Sequence, residues 1–86
     1  MLTLADIRTK LEKYLRENLV MADCMIHDNK IHVIVVGHWL HGHWRARRLI
    51  SEFFRWFLNK DISLDSYRWD ESDDEYSAKY TVTVLN

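Results

Sequence analysis

The chain has no proline, two glycines and one cysteine, and neither sign of charge prevails: twelve Lys and Arg stand against thirteen Asp and Glu, for a net charge of -1. Each shortage closes a class of function. One cysteine, Cys24, excludes an internal disulfide and any CxxC-built zinc or redox centre. The glycines form no phosphate-cradling loop, and no Ser-centred nucleophile elbow or HExxH appears. Balanced charge excludes the overall basic character of a histone-like or ribosomal protein, so an anionic partner has to meet a local patch. No apolar run exceeds four residues, Val33 to Val36 among them, which is far too short for a bilayer. The first twenty residues mix Asp6, Arg8, Lys10, Glu12, Lys13, Arg16 and Glu17 with apolar residues at helical spacing, unlike a signal or transit peptide. The expectation is a cytoplasmic chain that starts at Met1 and has no membrane partner. Cys24, among Ala22, Met25 and Ile26, reads as a buried structural thiol.

What is present is core material. Of the 86 residues 48% are apolar and 29% charged, with four Trp, four Tyr and three Phe, enough for a packed interior rather than a disordered tail. The length allows a single domain, 1–86, near the lower limit of independent stability. No linker, repeat or low-complexity segment interrupts it.

Thr3 and Asp6 resemble a capping box, and Leu4, Ile7, Leu11, Tyr14, Leu15 and Asn18 recur at steps of three and four, which predicts a helix over 4–18. Val20, Ala22, Cys24 and Ile26 alternate with Met21, Asp23, Met25 and His27, the period of a strand with one apolar face. Asp28-Asn29-Lys30 turns the chain, and Ile31 to Val36 is β-branched and almost wholly apolar, a second strand near the middle of a sheet. Both glycines punctuate 37–43, and a breaker-free stretch, 44–59, predicts a second helix. At 100° per residue, Ala46, Leu49, Ile50, Phe53 and Phe57 share its core face, opposite Arg48, Ser51, Glu52 and Arg55. Phe54, Trp56 and Leu58 widen the apolar arc. Strand patterning resumes over 62–69, and the acidic stretch 70–75 makes a turn. The last strand sets Tyr76, Ala78, Tyr80, Val82 and Val84 inward, with Ser77, Lys79, Thr81 and Thr83 outward. The order αββαββ implies an α+β two-layer sandwich, two helices on one face of a four-stranded, mainly antiparallel sheet.

The most unusual stretch is Gly37-His38-Trp39-Leu40-His41-Gly42-His43-Trp44-Arg45-Ala46-Arg47-Arg48, with three of the five His, two of the four Trp and three of the seven Arg. A helix N-terminus attracts anions and disfavours cations. Three arginines there point to a phosphate or carboxylate held by Arg45, Arg47 and Arg48, with Trp39, Trp44 or a histidine stacking on a ring. The competing reading folds the acidic turn back onto these arginines within one molecule. His38, His41 and His43 are close enough to meet one metal ion, and His27 and His32 can share one across the hairpin. Neither spacing is a zinc signature, and no cofactor is expected. Paired carboxylates occur only at Asp70, Glu71, Asp73, Asp74 and Glu75, where a solvated hairpin tip keeps ordinary acidity. No enzyme is expected. The same five carboxylates can also imitate a run of phosphates, as small phage-encoded inhibitors such as anti-CRISPRs do.

From Ile31 to Trp69, a strand, the Leu40-His41-Gly42 turn, the basic run Arg45-Ala46-Arg47-Arg48-Leu49-Ile50, a helix and another strand together resemble the middle of the BolA family. The resemblance implies a type II KH-like fold and, in that family, a histidine that helps hold an iron–sulfur cluster shared with a monothiol glutaredoxin. The aligned triplet here, Arg45-Ala46-Arg47 or Ala46-Arg47-Arg48, contains no histidine, although His41 and His43 stand nearby, and a further strand follows.

Aromatic surplus decides among these readings. Trp39, Trp44, Phe54, Trp56, Trp69 and Tyr67 exceed what so small a core absorbs, and Trp, Tyr and Arg dominate interface energetics. The expectation is a small regulatory module that binds a protein, a second copy of itself included, through the loop 37–44 and helix 44–59, using Trp39, His41, His43, Trp44, Arg45, Arg47, Arg48 and Trp56. The alternatives are a nucleic-acid or phosphate-binding module built on the same arginines, which steep salt dependence identifies, and the phosphate mimic.

Overall fold

A computed structural model of the chain describes residues 2–38, 42–70 and 75–85, and within these leaves aside the side chains of 36–38, 42–44, 68–70 and 75–76. The order is α1 (Leu4–Glu17), β1 (Ala22–His27), β2 (Lys30–His38), α2 (Gly42–Glu52) running into a π-helical turn (Phe53–Phe57), β3 (Ile62–Asp70) and β4 (Glu75–Val84). The two-layer α+β arrangement expected from the patterning is present. The sheet order is β1-β2-β4-β3 and every neighbouring pair is antiparallel. The C-terminal strand therefore inserts between β2 and β3, which run parallel and are linked through α2.

Local chemistry explains the first half. The Thr3 hydroxyl accepts from the Asp6 N–H at 3.1 Å and the Asp6 carboxylate accepts from the Thr3 N–H at 3.0 Å, closing the capping box. The second of these bonds holds the Asp6 carboxyl below its ordinary pKa. At the other end Leu19 N–H donates to Arg16 C=O at 3.0 Å and Val20 N–H to Leu15 C=O at 2.8 Å, a Schellman ending with Leu19 at φ 63°. Asp28 and Asn29 both have positive φ, 54° and 61°, the requirement of a two-residue type I′ hairpin.

Ile7, Leu11 and Leu15 from α1 meet Val20, Ala22, Cys24, Ile31, Val33 and Val35 from the hairpin. Ala46, Leu49, Ile50, Phe53, Phe54 and the β4 residues Ala78, Tyr80 and Val82 complete one core. Leu64 and Ile62 on β3 are only half-buried, because α1 lies over β1 and α2 over β2, leaving β3 at the margin. Ile26, expected on the apolar face, is exposed at the hairpin end. Ser77, expected outward and solvated, is 2% exposed; it lies on the central strand β4, in register with Val36 of β2 and Trp69 of β3.

Candidate interaction site on the second helix

The second helix starts at Gly42 rather than Trp44, and that shift rearranges the arginines. Only Arg45 lies in the first turn, where free N–H groups and the dipole act. Arg47 and Arg48 fall in the second turn and part company. Arg47 Nη1 donates to Ser66 Oγ on β3 at 3.3 Å, whereas Arg48 Nε sits 3.8 Å from the Glu52 carboxylate one turn on. Arg45 is exposed. The three arginines thus do not converge on one point, contrary to the expected anion cradle.

The C-terminal end corrects a second expectation. Phe57, assigned to the core face, is 64% exposed, while Phe54, counted among the surplus aromatics, is fully buried. Phe54 follows buried Ile50 by four residues and already borders the core face at α pitch, whereas the π turn over Phe53–Phe57, which takes in one more residue than an α turn, turns Phe57 off it. The extra residue persists to the end of the helix. Lys60 N–H closes on Phe54 C=O at 2.9 Å, six positions back, and Asn59 takes positive φ, 51°, which asparagine tolerates.

Trp56 and Phe57 therefore stand side by side in sequence and in water, Trp56 at 69% exposure. Phe57 is held rather than loose. Its ring lies edge-on to Tyr14 at 5.3 Å and stacks on Phe53 at 6.1 Å, and Tyr14 also contacts Phe53 at 5.5 Å. A separate open cleft of about 300 Å³, on the β3 side of the helix, is lined by Ser51, Arg55, Asn59, Lys60, Asp61 and Ile62.

The remaining candidates divide. Trp39 and His41, and Glu71, Asp73 and Asp74 of the acidic turn, lie outside the described residues, as do the side chains of His38, His43, Trp44, Asp70 and Glu75. The register sets His32 opposite Met25 and His27 opposite Lys30, so the two histidines are diagonal neighbours, rings 6.0 Å apart. Each has its own contacts: His27 Nε2 is 3.2 Å from the Asp28 carboxylate, His32 Nε2 is 3.3 Å from His27 C=O, and Thr81 Oγ1 is 3.4 Å from His32 Nδ1. Among the described residues no three ligating side chains gather. Cys24 is buried. Burial first, and the Glu12 carboxylate second, push its thiol up to about 12, which removes the thiolate a nucleophile needs.

Sequence reasoning missed Phe57 as a surface residue. The one available signal was the apolar excess of Phe53-Phe54-Arg55-Trp56-Phe57, more bulk than one helical stripe holds. Among the described residues no helix is long and apolar enough to cross a membrane. No family model, curated protein or solved structure matches the chain.

Proposed function

We propose that this chain is a small non-enzymatic, regulatory binding module of the cytoplasm that acts on another protein through the exposed side of α2 and its π turn. The observation that carries the reading is the adjacency of Trp56 and Phe57, both more than three-fifths exposed although the core beneath them is complete. Folding gains nothing from leaving two large aromatics in water, and exposed aromatic clusters mark contact surfaces. Arg45 and Arg48 lie on the exposed side of the same helix and supply the polar rim, with Arg47 at its β3 margin. Trp39, His41, His43 and Trp44, next to the helix start in sequence, belong to the binding residues in this reading.

The test is quantitative capture of partners on the immobilised full chain, comparing wild type with Trp56→Ala and the Trp56→Ala, Phe57→Ala pair. The expected result is a specific protein partner whose binding survives nuclease and weakens about tenfold or more in the variants, with melting temperature close to wild type. Unchanged capture by the double variant overturns the reading. Saturable binding to labelled DNA or RNA that falls steeply with salt and needs Arg45, Arg47 and Arg48 replaces it with the nucleic-acid alternative.

A further inference from the structure

The two outer strands of the sheet are finished differently. On β1 the backbone of Cys24 points away from β2, and both groups are taken by α1: Glu12 Oε2 accepts from the N–H at 2.9 Å and Arg8 Nη1 donates to the C=O at 3.4 Å. Arg8 and Arg16 flank the Glu12 carboxylate at 3.8 and 3.5 Å. This side-chain clamp occupies the middle of one edge. β3 carries no such clamp among the described residues.

The ladder fixes which groups β3 leaves over. Leu85 N–H donates to Asp61 C=O at 2.8 Å, and residues facing each other in an antiparallel pair alternate between bonded and non-bonded. Ser63, Asp65, Tyr67 and Trp69 therefore exchange bonds with β4, while Ile62, Leu64, Ser66, Arg68 and Asp70 turn their N–H and C=O outward. Edge strands are normally protected by shortness, charged side chains (lysine above all), a bulge, a proline or a covering element, and of these β3 has the charges Asp65, Arg68 and Asp70 but no lysine. β3 is nine residues long, its register with β4 runs unbroken, and the chain has no proline.

We propose that β3 pairs antiparallel with β3 of a second copy, joining two four-stranded sheets into one continuous sheet. This goes beyond the Trp56 surface and does not depend on it. Self-pairing closes about a two-fold axis and satisfies both open edges at once. The sequence of β3 also selects the register. Centred on Ser66, all nine residues find a counterpart, and Asp65 opposes Tyr67, Arg68 opposes Leu64 and Asp70 opposes Ile62 of the second copy, with no like charges face to face. Centred one residue earlier, Asp65 meets Asp65 of the second copy, which is destabilising. Centred one residue later, Ile62 and Ser63 lose their counterparts.

Three variants test this on the full chain. Ser66→Pro deletes an N–H that the molecule's own ladder does not use, so the fold survives while the edge is blocked. Ser66→Lys places two cations across the axis. Ser66→Cys brings two thiols to the axis, where facing α-carbons are about 5.5 Å apart, within disulfide range. Buried Cys24 does not compete. Sedimentation from micromolar to millimolar concentration is expected to show a monomer–dimer equilibrium for wild type, weakened about tenfold or more by Ser66→Pro and Ser66→Lys. Under mild oxidation Ser66→Cys is expected to cross-link and Ser63→Cys to stay monomeric. A wild-type chain that remains monomeric at millimolar concentration overturns the proposal. So does a dimer indifferent to Ser66→Lys, or Ser63→Cys cross-linking as readily as Ser66→Cys. Loss of dimer in Trp56→Ala with none in Ser66→Lys moves self-association to the helix surface.

Discussion

The two halves of the chain share a layout, a helix followed by two strands, and are built differently. In α1, β1 and β2 nearly every local requirement is met: Thr3 and Asp6 close the start of the helix, a Schellman pair closes its end, Asp28 and Asn29 supply the hairpin, and Glu12 with Arg8 finishes the sheet edge. In α2, β3 and β4 the helix changes pitch before it ends, two large aromatics face water, and a nine-residue edge has no clamp among the described residues. A sequence that satisfies its local rules in one half and departs from them in the other is what the proposed binding surface on α2 would leave, since departures from local rules gather at functional or strained sites.

The strongest way to break that contrast is to test the π turn itself. Phe54→Ala removes a fully buried ring and is expected to cost about 3–5 kcal/mol, close to the whole stability of a domain this small. Phe57→Ala gives up mainly the edge contact with Tyr14 and is expected to cost about 0.5–1.5 kcal/mol. Urea unfolding of both variants decides it. Equal losses, or a larger loss at Phe57, mean that the helix continues as α through Phe57 and that the aromatic pair is not on the surface.

The edge clamp gives the next effect. Glu12→Ala leaves the Cys24 N–H without its acceptor and Arg8 and Arg16 without their shared carboxylate. A part-buried donor left unsatisfied costs about 1–3 kcal/mol. Glu12→Gln keeps an oxygen acceptor and is expected to recover more than half of that loss by the same urea measurement. If the clamp guards the edge, Glu12→Ala also gains a tendency to associate through β1, which sedimentation at matched concentrations reveals. A variant that is destabilised yet associates no more than wild type shows that the clamp serves stability alone.

These contrasts follow the line between what was readable in the sequence and what was not. The capping box, the α1 stripe, the hairpin and the alternation of Ala78, Tyr80 and Val82 were legible because each depends on residues a few positions apart. Strand order was not, since β2 and β3 both present apolar residues to one layer and nothing local places β4 between them. Phe53-Phe54-Arg55-Trp56-Phe57 was ambiguous for a different reason. With bulky apolar residues at four of its five positions, it fills the core in either phase, and the sheet beneath chooses. The arginines misled because charge clustering in sequence was taken as convergence in space. Arg47 turns to Ser66, nineteen residues on, and Arg48 to Glu52. The open edge of β3 was invisible, because which strand lies outermost is a property of the whole sheet.

The smallest effect concerns a residue of the first half whose backbone conformation works against its side chain. Leu19 ends α1 in the left-handed region, φ 63°, and is 86% exposed, so it bears the conformational cost with no burial in return. A β-carbon in that region costs about 1–2 kcal/mol. Glycine removes the clash but brings back about 0.5–1 kcal/mol through the freedom of the unfolded chain. Leu19→Gly is therefore expected to stabilise the fold by about 0.5–1 kcal/mol, read as a melting temperature a few degrees higher. Asn59, in the same conformation at φ 51°, already has a side chain suited to it, so Asn59→Gly is expected to gain less. If Leu19→Gly instead lowers the melting temperature, the leucine side chain is holding the end of α1 against the sheet, and its place in the left-handed region is compensated. If it raises stability while weakening a partner's binding, Leu19 joins Trp56 and Phe57 as a group kept in water for contact, and the proposed binding surface no longer falls in one half alone.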